Sequence, residues 1–401
     1  MRSYLILACA ALPLAAQQPA RQTDADAYTR YELLAPGSAQ FRIIYEITAT
    51  TPGATAYFNP IRKGSVASDE SVLDRATGKP LEFREVGGLE ARAGGVRGAD
   101  STQRYIRVTL SRPVPANGGE QRILILKTYY DTLSYLMRGD TLVFTRPLGI
   151  KRNTVVLPAG WELFSSSFPA QVLQEKDGRV GISFWNSAPS EAAVTLRALR
   201  LRAPFPAALL RAGEMASRLS ERTHQNREIV YFLQPPETHA FDLYHDYTES
   251  RPGVSTYVNV VRAGSTVSKP SAINLDTGEP VPWEVLKGDA ITKAGLDVSN
   301  VTPTTEAVVF RFAPVQAGAS IRLRMSETYT DSVRYRLAGD ELVWDRAFGR
   351  PSNIVVLPAG WALTNSSVPC TVSTRPDGRV QLDFINGRND EIAVLITARR
   401  R

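Results

Sequence analysis

A chain of 401 residues, 43% hydrophobic and 22% charged, is long enough for two cores and has neither a disordered nor a collagen-like composition. Its 47 Lys and Arg outnumber 40 Asp and Glu for a formal charge of +7, yet acids interleave with the arginines and no basic block exceeds Arg399-Arg400-Arg401, which argues against a nucleic-acid partner. Three His and two Cys exclude a disulfide scaffold and leave little material for metal or nucleophilic chemistry.

Residues 1–17 read as a signal peptide. Arg2 supplies the positive start, Leu5 to Leu12 the short apolar core, and Leu14-Ala15-Ala16-Gln17 the small residues a peptidase needs, with cleavage between Ala16 and Ala20. Cys9 is not expected to carry a lipid, because Leu7 stands where a small residue is needed. The expected address is therefore periplasmic or extracellular. Cys370 is then the single thiol of the mature chain, and no later apolar run is long enough for a transmembrane segment.

Downstream the pattern is of strands and turns. Gln40 to Thr50 alternates Phe41, Ile43, Tyr45 and Ile47, Thr55 to Ile61 and Tyr105 to Leu110 have strand composition, and Gln121 to Tyr130 carries an Ile-Leu-Ile-Leu run. Asp177-Gly178, Asp377-Gly378, Gly139-Asp140 and Gly339-Asp340 sit between apolar runs as tight hairpin turns. From Phe41/Phe241 to Val194/Val394 these features recur at an offset of 200. Tyr57, Asn59, Arg62 and Gly64 return as Tyr257, Asn259, Arg262 and Gly264, and eight of nine positions from Asn153 to Trp161 match Asn353 to Trp361. The expected fold is all-β: two tandem, internally duplicated antiparallel β-sandwich units, 28–202 and 229–401, joined by a linker over 203–228. In that linker Leu209, Ala212, Ala216 and Leu219 mark one short amphipathic helix.

Several short motifs dissolve on inspection. Arg138-Gly139-Asp140 spells an adhesion tripeptide, but its counterpart begins with Ala338, so the turn is the recurring part. Asp276-Thr277-Gly278 spells an aspartic-protease signature, yet that chemistry needs two carboxylates and the equivalent first-half position is Ala76; Asp276 is expected to be a turn residue. His239 and His245, placed on one strand, would share a face roughly 20 Å apart, too far to hold one ion, with Asp242 and Asp246 on the other face. His224 falls in the linker. No phosphate-cradling Gly loop or Gly-x-Ser-x-Gly elbow is present.

The polar residues common to both halves are Tyr129, Asp131, Arg146, Asn153, Trp161 and Asn186 with their partners 200 positions on. They read as structure: an Asp131–Arg146 ion pair, Asn153 as a turn former, Trp161 and Trp361 as core plugs. The rival expectation makes the tryptophans sugar-stacking platforms. Features unique to one half, such as the Gly-rich stretch from Gly87 to Gly98, are the better place to seek function. In layout alone the chain resembles the β domains that precede catalytic domains in some exported peptidases, and no residue carries over on that ground. The expectation is an exported, non-catalytic binding or assembly module for an unknown protein or glycan partner, with no catalytic, metal or cofactor residues assigned. The alternative is a carbohydrate-active hydrolase using a carboxylate pair, which leaves no local signature.

Overall fold

The computed structural model describes residues 20–188, 190–200, 227–388 and 390–401. The expected leader over 1–17 lies outside them, as does the expected linker helix, apart from Arg227 and Glu228, which open a strand. The fold is mostly β, with little helix.

In chain order the first half contains β1 (Asp24–Leu33), β2 (Gln40–Ala49), β3 (Ala56–Pro60), β4 (Val66–Asp74), β5 (Phe83–Gly87), β6 (Arg104–Thr109) and β7 (Gln121–Tyr130). It continues with β8 (Tyr135–Arg138), β9 (Thr141–Leu148), β10 (Arg152–Val156), β11 (Trp161–Ser166), β12 (Gln171–Gln174), β13 (Val180–Trp185) and β14 (Ala192–Arg200). These form a seven-stranded sheet β12-β13-β10-β1-β2-β7-β4, a four-stranded sheet β11-β14-β9-β8 and a three-stranded sheet β3-β6-β5. The strands between Arg227 and Arg400 build three sheets in the same order, and the registers keep the offset: Phe41 faces Tyr129 as Phe241 faces Tyr329. Even the bulge between Ser68 and Ser71 returns between Ser268 and Ser271.

Period-two alternation explains the core. On β7, Ile123, Ile125, Lys127 and Tyr129 share one face and are buried, while Leu124, Leu126 and Thr128 on the other are half-buried. Ile123 and Ile125 join Val108 of β6, Phe144 of β9 and Leu196 of β14 in one cluster, so all three sheets close on a single core. Rings of Tyr31, Phe41, Tyr129 and Phe144 meet there at 5.7–6.0 Å. A second cluster around Phe241 and Trp344 fills the other half. The hairpin turns fall where the glycines placed them, with φ of 57° at Gly139 and 83° at Gly178.

The antiparallel expectation fails at one pairing. β1 runs antiparallel to β2 but parallel to β10, from Tyr28 opposite Arg152 to Glu32 opposite Val156, and the strand Arg227–Leu233 does the same against Ser352–Val356. A parallel neighbour needs a long crossover, and most of the half-chain, with the three-stranded sheet and two strands of the four-stranded one, lies between β1 and β10. Two local expectations also change. His239 precedes its strand in a left-handed conformation (φ 54°) as the cap of a 3-10 turn, so it does not share a strand face with His245. The stretch after Gly87 forms a short helix, Gly88–Ala93, and another, Asp289–Lys293, stands at the equivalent place, so this feature is not unique to one half.

The halves touch at two edges, and at the first the contacts exchange under the offset. Gln171 donates to the carbonyl of Gly387 at 2.8 Å, and Thr371 meets Ser187 at 2.6 Å. At the other edge Ser320 N–H donates to Ala76 O and Glu120 N–H to Leu275 O. Arg122 forks onto Asp276 there, and Arg322 lies 3.3 Å from Glu120. Asp276 does sit in a turn, but its carboxylate is a buried link between the halves.

Candidate functional site

Each half holds a cavity in the same place. The first, about 580 Å³, opens beside Tyr31, Tyr45, Tyr57, Asn59, Lys127, Tyr129 and Arg146; the second, about 210 Å³, is lined by Tyr231, His245, Asn259, Tyr329, Arg346 and Arg350 among others. Every residue lining the smaller cavity has its counterpart 200 positions earlier in the lining of the larger. Among those positions Tyr31, Asn59, Arg62, Tyr129, Arg146, Gly149 and Glu191 keep their identity, whereas Tyr45 becomes His245 and Ile150 becomes Arg350.

Lys127 is the anomaly of the larger cavity. It stands on the core face of β7, 4% exposed, with its ammonium directed to Asn59 Oδ1 and 4.9 Å from the Tyr129 ring centroid. Among the described residues no carboxylate lies within ion-pair distance of it. Burial, reinforced by the Arg146 charge, pulls its pKa down to about 7, against a weaker opposite pull from Glu70. Burial also pushes the Tyr129 phenol up to about 12 and raises Tyr45 and Tyr57. The other charges of the lining have partners: Asp24 accepts from Tyr57 at 3.0 Å, Arg62 lies 3.8 Å from Glu191, and Lys63 pairs with Asp100.

Arg146 is fixed from both sides. Its guanidinium lies 5.5–5.8 Å from the rings of Tyr31, Phe41 and Tyr129, and its Nη1 donates to Asp131 at 3.0 Å and to Ser134 Oγ at 3.1 Å. The Asp131 carboxyl is held below the usual range: burial opposes this, but hydrogen bonds from Ser134 and Ser65 and the Arg146 charge outweigh it. In the other half position 134 is Arg334, which takes Asp331 at 3.0 Å and leaves Arg346 at 3.6 Å.

The shared polar residues therefore divide. Tyr129 and Arg146 line the cavity, with Asp131 anchoring the arginine. Asn153 is not a turn residue but a fully buried member of β10, donating to Ile150 O at 2.6 Å, as Asn353 does to Arg350 O. Asn186 ties Leu148 O to Ser190 O. Both asparagines thus shape the loops that rim the cavity. Trp361 is buried and Trp161 half-buried, each packed on its own core, and neither lines either cavity. Sequence reasoning missed Lys127, although a lysine in phase with Ile123 and Ile125 was the available signal. His245 points to the smaller cavity, while His239 bonds the Tyr335 carbonyl at 2.9 Å. Among the described residues no group of three or more His, Cys, Asp or Glu could hold a metal ion, and no helix is long and apolar enough to cross a membrane.

No family model matches the chain, and no curated protein matches it. Among solved structures it is similar to an M1 zinc metallopeptidase from Deinococcus radiodurans, at 12% identity and a TM-score of 0.31 over 45% of this chain and 42% of that one. It is also similar to a putative nutrient binding protein from Legionella pneumophila (10% identity, TM-score 0.27, 51% of this chain and 73% of that one). An aminopeptidase N family protein from Idiomarina loihiensis gives 9% identity and a TM-score of 0.26 over 49% and 36%. The chain spans less than half the length of the Deinococcus peptidase.

Proposed function

We propose that this protein is an exported, non-catalytic binding module whose main ligand site is the first-half cavity around Lys127. In the same reading the chain is a tandem duplication, with β-sandwich units at 28–202 and 229–401 joined through 203–228. The observation that carries the proposal is a buried lysine without a carboxylate partner among the described residues, lining a cavity of about 580 Å³. Burying an ammonium that way costs several kcal/mol, a feature more typical of sites than of scaffolding. The volume lies in the range of small-molecule pockets. Because Arg62, Lys63 and Arg146 already face acids, Lys127 is the one cation of the lining without an acid partner among the described residues, and Asp24, bonded to Tyr57, is the one acid there without a cation. The ligand class that fits is an organic anion with a flat apolar body, its acid group on Lys127 and its body against Tyr45, Tyr57 and Tyr105.

Calorimetric titration of the purified full chain with aromatic and aliphatic carboxylates tests this. Saturable binding by at least one, weakened tenfold or more in Lys127→Met with the fold intact by circular dichroism, is the expected result. Turnover of a glycan that disappears in Asp24→Asn or Glu191→Gln would replace this reading with the hydrolase.

A further inference from the structure

The two cavities share their walls but differ in what serves their central arginine. In the first half Asp131 and Ser134 satisfy Arg146. In the second, Arg334 Nη1 donates to Asp331 Oδ2 at 3.0 Å and Ser265 Oγ donates to the same oxygen at 2.7 Å. Arg346 Nη1 is displaced to 3.6 Å and has no hydrogen-bond partner among the described residues, although Arg346 is only 6% exposed. It cannot swing away, because its guanidinium lies 5.1–5.9 Å from the rings of Tyr231, Phe241, Tyr329 and Trp344.

Beside it His245 is 5% exposed, with neither ring nitrogen hydrogen-bonded to any of the described residues. Glu327, outside the lining, stands 3.9 Å from its Nε2 and accepts instead from Asn259 at 2.7 Å. Arg350 adds a third donor and bonds Tyr257 OH at 3.2 Å, while the Arg262 charge is met by Glu391 at 3.0 Å. A buried donor left without an acceptor is costly, more so when charged, so two such side chains on one small cavity describe a site awaiting an acceptor.

We infer that the second-half cavity binds a small oxyanion, a carboxylate of a few carbons or an inorganic phosphate, between Arg346 and His245 with Arg350 at the mouth. A guanidinium suits either group, since its N–H fork matches the paired oxygens of both. At about 210 Å³ the cavity is below the usual size for drug-sized ligands and excludes a peptide or an oligosaccharide. This site is independent of Lys127.

The exchange at position 134/334 supplies the test. Arg334→Ser restores the first-half arrangement, in which the aspartate recaptures its arginine. Titrations at low ionic strength would use inorganic phosphate in one arm and succinate in the other, on the full chain, on Arg334→Ser and on Lys127→Met. The expected result is saturable binding in at least one arm, weakened tenfold or more by Arg334→Ser, retained in Lys127→Met, with a melting temperature of Arg334→Ser no lower than the parent's. The stronger arm identifies the oxyanion class. Absence of saturation below about 10 mM in both arms overturns the inference. So does binding indifferent to Arg334→Ser, and loss of the signal in Lys127→Met instead would move the anion to the first cavity.

Discussion

Arg122 donates both arms of its guanidinium to the carboxylate of Asp276 at 2.8 Å, across the junction of the two halves, in a pair whose side chains are only 4% and 5% exposed. Ser320 completes the arrangement by taking a third bond from Arg122 at 3.1 Å, and the Arg322 amide donates to the same carboxylate at 3.0 Å. The equivalent of Asp276 is Ala76, so the link is not repeated; Arg322 meets Glu120 instead. One aspartate in a turn of the second half is thus tied to β7 of the first.

Removing one member of a buried, forked pair strands the other charge. Asp276→Ala is therefore expected to cost about 3–5 kcal/mol, measured by urea denaturation, while the joint replacement Arg122→Met with Asp276→Leu costs much less because no charge stays buried alone. Equal losses in the single and double variants would deny the pair its role.

Gly78 offers a second test of the junction. It has a φ of 71°, and a β-carbon there would stand 2.7 Å from the Gly318 carbonyl of the other half. Gly178 has a φ of 83° but nothing within 4 Å of that position. Gly178→Ala carries only backbone strain, roughly 1–2 kcal/mol. Gly78→Ala carries the same strain plus a clash of its new β-carbon with the Gly318 backbone, so its melting temperature is expected to fall further. The reverse order would mean that the junction yields freely.

The two tryptophans separate by burial. Trp361 is 5% exposed and lies under the Arg400 guanidinium at 5.3 Å, while Trp161 is half-buried. Trp361→Ala is expected to cost about 3–5 kcal/mol and Trp161→Ala clearly less, as read from denaturation midpoints. A Trp161→Ala protein with unchanged stability but lost glycan binding would restore the sugar-platform expectation.

Much of the fold was legible because its signals are local. The Ile-Leu-Ile-Leu run marks β7 from Gln121 to Tyr130, and the Gly139 and Gly178 turns need a positive φ that sequence announces. The parallel pairing of β1 with β10 was not legible, since alternation shows which face a residue takes and not which way its neighbour runs. The cavities were half legible. Tyr129 and Arg146 stood out as shared residues, but the two cavities differ both in their walls and just behind them: Lys127 against Glu327, Tyr45 against His245, Ser134 against Arg334. Recognising them requires knowing which positions face one another, and that is a property of the packed sheets. Asp276 hid for the same reason, because its partner Arg122 is distant in the chain.

Lys127 makes the sharpest pH prediction. Its folded pKa of about 7 lies below the ordinary 10.5, so between these values the unfolded chain holds a proton that the folded chain has released. Stability contributed at this site therefore rises with pH through that window, by at most about 1.4 kcal/mol per unit, and the cost of the buried ammonium is fully present below pH 7. Lys127→Met, similar in length but uncharged, removes that cost. It is expected to be more stable than the parent at pH 6, with the advantage shrinking steadily toward pH 10, as read from denaturation midpoints at each pH. Binding of an anion to this cavity should show the opposite trend, weakening as pH rises above 7 and the amine loses its charge, because the ligand favours the protonated form. A constant stability difference between variant and parent from pH 6 to pH 10 would mean that the Lys127 amine titrates in the folded protein as it does in water.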